Sequence, residues 1–385
     1  MSLLRTTLDN GIKVLILEQD SAPVVSAWIW YRVGSRNEYL GQTGISHWTE
    51  HMLFKGTNRW PQGKADKTIS REGGTYNAMT WLDFTTFYTT LPVDKLSLSL
   101  DIESDRMQNC TFSEFDVEAE RPVIISERAG EENSPLFLLG EEVNAAAFRV
   151  HPYRYEVVGH LCDLQSITYL DLQKHYHTYY TPNNAIIAVA GSVNAVETER
   201  LINRYFGAIH SDVSPPQVTA KEPAQRGERR IQVEGPGHTH YLDIAYHVPS
   251  ATHEDSYALT IMNAILTGGS GFLVGQGYLT NHTSRLYKAL VDSEHALDIS
   301  GNMMTTLDPG LYRIAATLWP DQDMKELESI LWTEIDRLKN EFVTQNEMVK
   351  AQQQALALFV YASEIITYQA FWLGFTEQFA DYNWY

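Results

Sequence analysis

Gly44-Ile45-Ser46-His47-Trp48-Thr49-Glu50-His51-Met52-Leu53-Phe54 has the period of an amphipathic helix with a different chemistry on each face. At 3.6 residues per turn, Glu50, His51 and Phe54 fall within about 60° of His47. Ile45, Trp48 and Met52 fall on the opposite side and form the stripe that a core covers. Two imidazoles four residues apart stand one above the other and can grip a single ion. Taken alone, these five residues, H-x-x-E-H, would equally suit a helix with two surface histidines. The chain offers more. A second helical stretch, predicted within 113–148, carries Glu120 and Glu127, which share a face two turns apart, with Pro122 between them predicting a local kink. A hydrolytic zinc site takes three protein ligands and leaves one position open.

Around this helix the pattern alternates between strand and helix. Asp9-Asn10-Gly11 is a hairpin signal ahead of the strand-like Ile12 to Leu17, and Val24 to Tyr31 alternates as a strand. Gly34-Ser35 ends that run. A threonine- and aromatic-rich segment from Tyr76 to Leu91 reads as a further strand, and helices are predicted at 94–109 and 113–148. Ala185 to Ala190 reads as a buried strand, followed by a helix near 194–206. Between 212 and 228 the composition turns to Ser, Pro, Gln, Lys and Glu without apolar periodicity, which predicts a linker.

Beyond it the order repeats. Arg230 to Val233 and Tyr241 to Tyr246 read as strands, and Tyr257 to Leu266 as the next helix. The expectation is an α+β protein of two similar halves, each a mainly antiparallel sheet with helices packed on it. The site-bearing half spans 1–211, the linker 212–228 and the second half 229–385, ending in a very apolar helix as though truncated at its C-terminus.

Composition narrows the function. A formal charge of −19 opposes nucleic acid and anionic membranes and would favour basic peptides. No apolar run has the length of a membrane span, and no signal-peptide pattern precedes the first strand, which predicts a cytoplasmic protein. Cys110 and Cys162 are the two cysteines, too few for a disulfide framework or a cysteine zinc cage. His175 and His177 fall about 200° apart on a helix and cannot share an ion. His238 and His240 could share a strand face, but no third ligand is near.

The run from Gly44 through Lys55-Gly56-Thr57 resembles the signature of the pitrilysin or insulinase family of inverted-motif zinc peptidases, which includes mitochondrial processing peptidases and bacterial relatives. The resemblance continues in Val33-Gly34-Ser35-Arg36-Asn37-Glu38, Asn77-Ala78, Asp83, Glu120-Arg121-Pro122-Val123-Ile124-Ile125-Ser126-Glu127, His151-Pro152, Val158-Gly159-His160 and Tyr180-Thr181-Pro182-Asn183-Asn184. It is dense over the first half and thin over the second. It implies a bacterial zinc endopeptidase with His47, His51 and Glu127 as zinc ligands, Glu50 as general base and Glu120 orienting a ligand histidine. It also implies that peptide substrate adds as an extra strand at Asn77 and Ala78.

In self-sufficient members of that family the second half carries an arginine and a tyrosine that act on the substrate carbonyl, shortly after a Ser-Arg-Leu sequence. Ser284-Arg285-Leu286-Tyr287 matches that sequence, yet the two positions fall on Val291 and Asp298, neither of which donates to an oxyanion. By that resemblance Arg285 and Tyr287 fall at the family's packing positions. A glycine-rich loop, Gly268-Gly269-Ser270-Gly271 with Gly275 and Gly277, precedes them and reads as mobile. The implied enzyme is a heterodimer with a related subunit that supplies Arg and Tyr. Competing readings are a non-catalytic structural subunit and a self-sufficient homodimeric peptidase.

Overall fold

The computed structural model describes residues 2–235, 237–268 and 282–384. Along the chain run β1 (Ser2–Thr7), β2 (Lys13–Glu18), β3 (Val24–Tyr31), α1 (Ile45–Leu53), α2 (Lys64–Arg71), β4 (Thr75–Thr80), β5 (Thr85–Pro92), α3 (Leu96–Asn109), α4 (Glu114–Glu131) and α5 (Pro135–Ala147). Then come α6 (Leu161–Ser166), α7 (Tyr169–Tyr179), β6 (Ala185–Gly191) and α8 (Ala195–Phe206). After a stretch without helix or strand follow β7 (Tyr241–Val248), α9 (Asp255–Leu266), a π-helical turn at Tyr287–Val291, β8 (Ala296–Met303), β9 (Gly310–Leu318), α10 (Met324–Asn340), α11 (Gln345–Ser363) and α12 (Ile366–Phe379). Among the described residues no single helix is long and apolar enough to cross a membrane.

These elements form two compact units. One comprises Met1–Glu131, Val150–Pro223 and Ser363–Tyr385, the other Glu132–Arg149 and Ala224–Ala362. The units cut across the linear division at 211 and 229, because a helix from each half packs into the other unit. Helix α5 lies on β7, and α12 lies on β2, β3 and β6. Residues 212–228 carry no helix or strand. Gly269, Ser270, Gly271, Gly275 and Gly277 lie outside the described residues.

In the first unit six strands pair in the order β1-β2-β6-β3-β5-β4, antiparallel except for β2 with β6. The Asp9-Asn10-Gly11 turn joins β1 to β2, with Gly11 at φ 93°. The single strand expected over Tyr76 to Leu91 is instead a hairpin. Trp81 and Phe84 close its turn, the Trp81 N–H donating to the Phe84 carbonyl at 2.8 Å, so β4 becomes a sheet edge. Strand β6 is buried throughout, as a continuous apolar run between two neighbours requires.

Strand β3 serves both faces of this sheet. Ala27, Ile29 and Tyr31 join the core under α1 with Ile45, Trp48 and Met52. Trp28 and Trp30 point to the other face, where each lies 5.2 Å from Phe371 of α12. That burial explains why α12 is so rich in apolar residues: it closes the first unit's sheet rather than the end of the second half. Gly374 makes the approach possible, since a Cβ there would lie 2.0 Å from the Trp30 indole nitrogen. Glu377, buried at the helix end, accepts from Arg5 at 3.0 Å and Lys13 at 2.6 Å, so its charge is not left uncompensated.

The second unit holds an antiparallel sheet in the order β7-β9-β8. Its sequence β7, α9, β8, β9, α10, α11 replays β3, α1, β4, β5, α3, α4, and the strand order matches β3-β5-β4. Arg230 to Val233 is not a strand. All four residues are exposed, and no strand lies alongside to complete a ladder.

Candidate metal centre

Helix α1 is fixed at its N-terminus by residues outside it. Gly44 takes φ 85° as the cap, and a Cβ there would lie 2.6 Å from the Val158 carbonyl oxygen. The buried Glu38 carboxylate accepts the Gly44 and Ser46 N–H groups at 2.7 and 2.8 Å. A carboxylate at that end satisfies otherwise orphaned donors and complements the helix dipole. Ser46 Oγ donates to the Gly34 carbonyl at 3.1 Å and lies 3.3 Å from Nε2 of the buried His175. With Trp48 buried beneath, His47 and His51 are left half-buried on the opposite face, with Glu50 buried beside them.

Helix α4 runs through Pro122 and presents Glu120 and Glu127 to that face. Its register is set by the next residue in each case. Arg121 donates to the carbonyls of Leu164 and Ile167 at 2.5 and 2.9 Å and stacks 4.8 Å from the Trp48 ring. Arg128, buried, donates to the Gly159 carbonyl at 3.1 Å. Glu38, Arg121 and Arg128 were not legible as site residues, although the paired Glu-Arg steps, seven apart, were a usable signal.

The result is a compact donor set. Glu127 Oε2 lies 3.7 Å from His47 Nε2 and 3.4 Å from His51 Nε2. One ligand atom from each of the three lies within 4.8 Å of the others, and this is the one such group among the described residues. Ligands about 2.0–2.1 Å from a tetrahedral zinc stand roughly 3.3–3.4 Å apart, so the spacing fits that ion. Behind His51, Glu120 Oε1 lies 3.0 Å from Nδ1, and its other oxygen accepts from Lys55. A carboxylate on the far nitrogen of a ligand histidine fixes the ring and raises its basicity. Burial, with help from His51, lowers His47 to about 4 and keeps the imidazole neutral, the form that binds metal.

Glu50 is buried next to this set. Burial raises its pKa, opposed by a 2.6 Å hydrogen bond from Thr80 Oγ1 to Oε2. Thr80 ends the edge strand β4, so strand and site are tied together. On β4, Asn77 is exposed, and its Oδ1 accepts the Ala78 N–H at 2.9 Å. Strand β5 is the one neighbour of β4 in the sheet.

Elsewhere the predicted groups separate. His175 is buried and His177 exposed, while His238 and His240 are both exposed and belong to no metal group. His151 is buried, with Nδ1 accepting the Tyr153 N–H at 3.2 Å. Val291 closes the π-helical turn and packs on the second core, and Asp298 is exposed on β8. Arg285 makes a bidentate pair with Glu347 at 2.7 and 3.1 Å, and Tyr287 stacks 4.5 Å from His282.

A sequence profile described as insulinase, peptidase family M16, matches residues 13–160, and one described as the peptidase M16 inactive domain matches residues 166–355. This chain belongs to peptidase family M16. Among its M16 relatives, "Zinc protease PqqE" of Helicobacter pylori is 30% identical over 92% of this chain and 78% of its own length. A probable mitochondrial-processing peptidase subunit beta of Arabidopsis thaliana is 29% identical over 91% of this chain and 65% of that protein. The crystal structure of a protease from Helicobacter pylori superposes with a TM-score of 0.93 at 28% identity, covering 99% of this chain and 91% of that one.

Proposed function

We propose that this M16 chain is the metal-bearing subunit of a zinc-dependent endopeptidase. The observation that carries the reading is the convergence of His47, His51 and Glu127 beside the buried Glu50. Those three residues would hold the ion, and Glu120 would orient His51. When bound, zinc supplies a water of pKa near 7 and a Lewis acid for the scissile carbonyl. Thr80 pins one Glu50 oxygen and leaves the other free to take a proton and pass it to the leaving amine. The upward shift of Glu50 suits that task, because a more basic carboxylate is the better acceptor.

Peptide is taken as an added strand on β4, a mode that needs few particular side chains. The Ala78 N–H, capped by Asn77 in this structure, is a donor that a peptide carbonyl can take over. The donors to the developing oxyanion come from a related second chain. Val291 has none to offer, Asp298 is an acceptor, and Arg285 is committed to Glu347. Relatives named as subunits of processing peptidases support a paired enzyme.

Zinc content and cleavage of a quenched peptide, with and without a related chain bearing Arg and Tyr, test both parts. Glu50→Gln is expected to keep zinc and lose about 10²–10⁴ in turnover, while Glu127→Gln loses zinc. Stoichiometric zinc in Glu127→Gln would reject the third ligand. Full turnover by the isolated chain, unchanged by any partner, would reject the two-chain reading.

A further inference from the structure

Next to the C-terminal end of α1 is a cavity of about 200 Å³ that no step above uses. Phe54, Trp60 and Tyr76 give it aromatic walls, and Arg106, only 5% exposed, gives it a cationic floor. Arg106 is rigidly held. Its Nη1 donates to both oxygens of the buried Glu103 at 3.1 and 3.3 Å. Its guanidinium lies 4.3, 5.0 and 5.3 Å from the rings of Phe87, Tyr76 and Phe54. Among the described residues, no acceptor bonds to its Nε or Nη2.

We infer that this cavity receives a tyrosine side chain of the bound peptide, and that Arg106 selects it. The inference rests on the edge-strand reading proposed above. Tyr76 belongs to β4 and also lines the cavity, so a peptide paired with β4 passes the opening. The volume is below the roughly 300–1,000 Å³ of small-molecule pockets and suits a single side chain. Three aromatic walls call for a ring.

The charge pattern decides what the ring carries. A carboxylate is disfavoured, because Arg106 already engages the buried Glu103 carboxyl and the exposed Asp66 lines the cavity. The chain's charge of −19 acts in the same direction. A phenol satisfies the remaining condition, since its oxygen accepts from the free guanidinium N–H without bringing charge. Phenylalanine would fill the same space but leave that donor desolvated and unpaired, the situation in which polar sites discriminate strongly against an isostere.

The test uses the full-length, zinc-loaded Glu50→Gln protein, so that binding is read without turnover. A fluorescent peptide from the cleaved set is varied to Tyr, Phe, Glu or Ala at each position flanking the scissile bond, and affinity is measured by anisotropy. At one position Tyr is expected to bind at least tenfold tighter than Phe, and both tighter than Glu. Ala65→Leu, which fills the cavity from a half-buried lining position, should abolish the Tyr advantage and leave the Ala peptide unchanged. The charge-neutral double variant Glu103→Gln/Arg106→Met should bring the Tyr-to-Phe ratio to about one. Equal binding of Tyr and Phe at every position, a preference for Glu, or an Ala65→Leu protein that still prefers Tyr would overturn the cavity assignment alone. Failure to bind any of the peptides would overturn the edge-strand reading with it.

Discussion

Replacing Glu120 with glutamine takes one charge from behind His51 and leaves all three candidate ligands in place. The amide can still accept from Nδ1 across the 3.0 Å contact, so the ring keeps its orientation. What is lost is the negative charge that raises the basicity of the candidate ligating nitrogen. Removing an outer carboxylate of this kind costs about 10–100-fold in metal affinity, or roughly 1.4–2.7 kcal/mol. Lys55 pushes the result toward the upper part of that range. It is 13% exposed and paired with Glu120, and in the variant its charge stays near the ion without a partner. The assay is competition for zinc between the apo protein and a fluorescent chelator, with circular dichroism as the control for folding. Adding Lys55→Met should restore part of the affinity. A folded Glu120→Gln protein that holds zinc within twofold of the unmodified chain would refute the orienting role.

Ala78→Pro removes an edge N–H and should weaken peptide binding at least tenfold with zinc content unchanged; an unaltered peptide affinity in a folded protein argues against β4 as the docking strand. Burial holds His175 at about 3, against about 6.5 in an unfolded chain, so its contribution to stability is intact above pH 6.5 and is lost as pH falls toward 3. At pH 5 the loss is about 2 kcal/mol, and His175→Phe should flatten the difference between urea unfolding at pH 7.5 and pH 5 by that amount; identical pH dependence would reject the burial argument. Gly374→Ala places a methyl 2.0 Å from the Trp30 indole nitrogen and should cost about 1–3 kcal/mol in thermal unfolding, with a changed tryptophan signal in near-ultraviolet dichroism. An unchanged melting curve would mean that α12 is not seated as described.

The candidate metal face was legible because its determinants are local. The spacing of His47, Glu50 and His51 on one helix, and of Glu120 and Glu127 on another, follows from helical period alone. The central strand β6 was legible for the same kind of reason: a short continuous apolar run has few other uses. What escaped the reading depends on partners distant in sequence. Glu38 looks like an ordinary glutamate until its two hydrogen bonds to the start of α1 are seen. Arg121 and Arg128 act through carbonyls 31 to 46 residues onward. Tyr76 to Leu91 kept strand character on both sides of a turn with neither glycine nor proline, so its break at Trp81–Phe84 carried no punctuation. Arg230 to Val233 had the composition of a strand and no neighbour to pair with.

The crossed membership of α5 and α12 bears on the order of events during synthesis. When the ribosome has made the first 211 residues, every strand of the site-bearing sheet exists, yet its second face still presents Trp28, Trp30 and Phe84 uncovered. Helix α5 has emerged by then, but β7, the strand it covers, has not been made. The nascent chain must therefore keep an aromatic surface and an apolar helix from each other and from other proteins while some 150 further residues are added. Cutting the chain within 212–228 should yield two fragments that are sticky alone and recover together by exchanging helices. The unit that carries the candidate metal site is thus finished last, by residues translated after everything else in it.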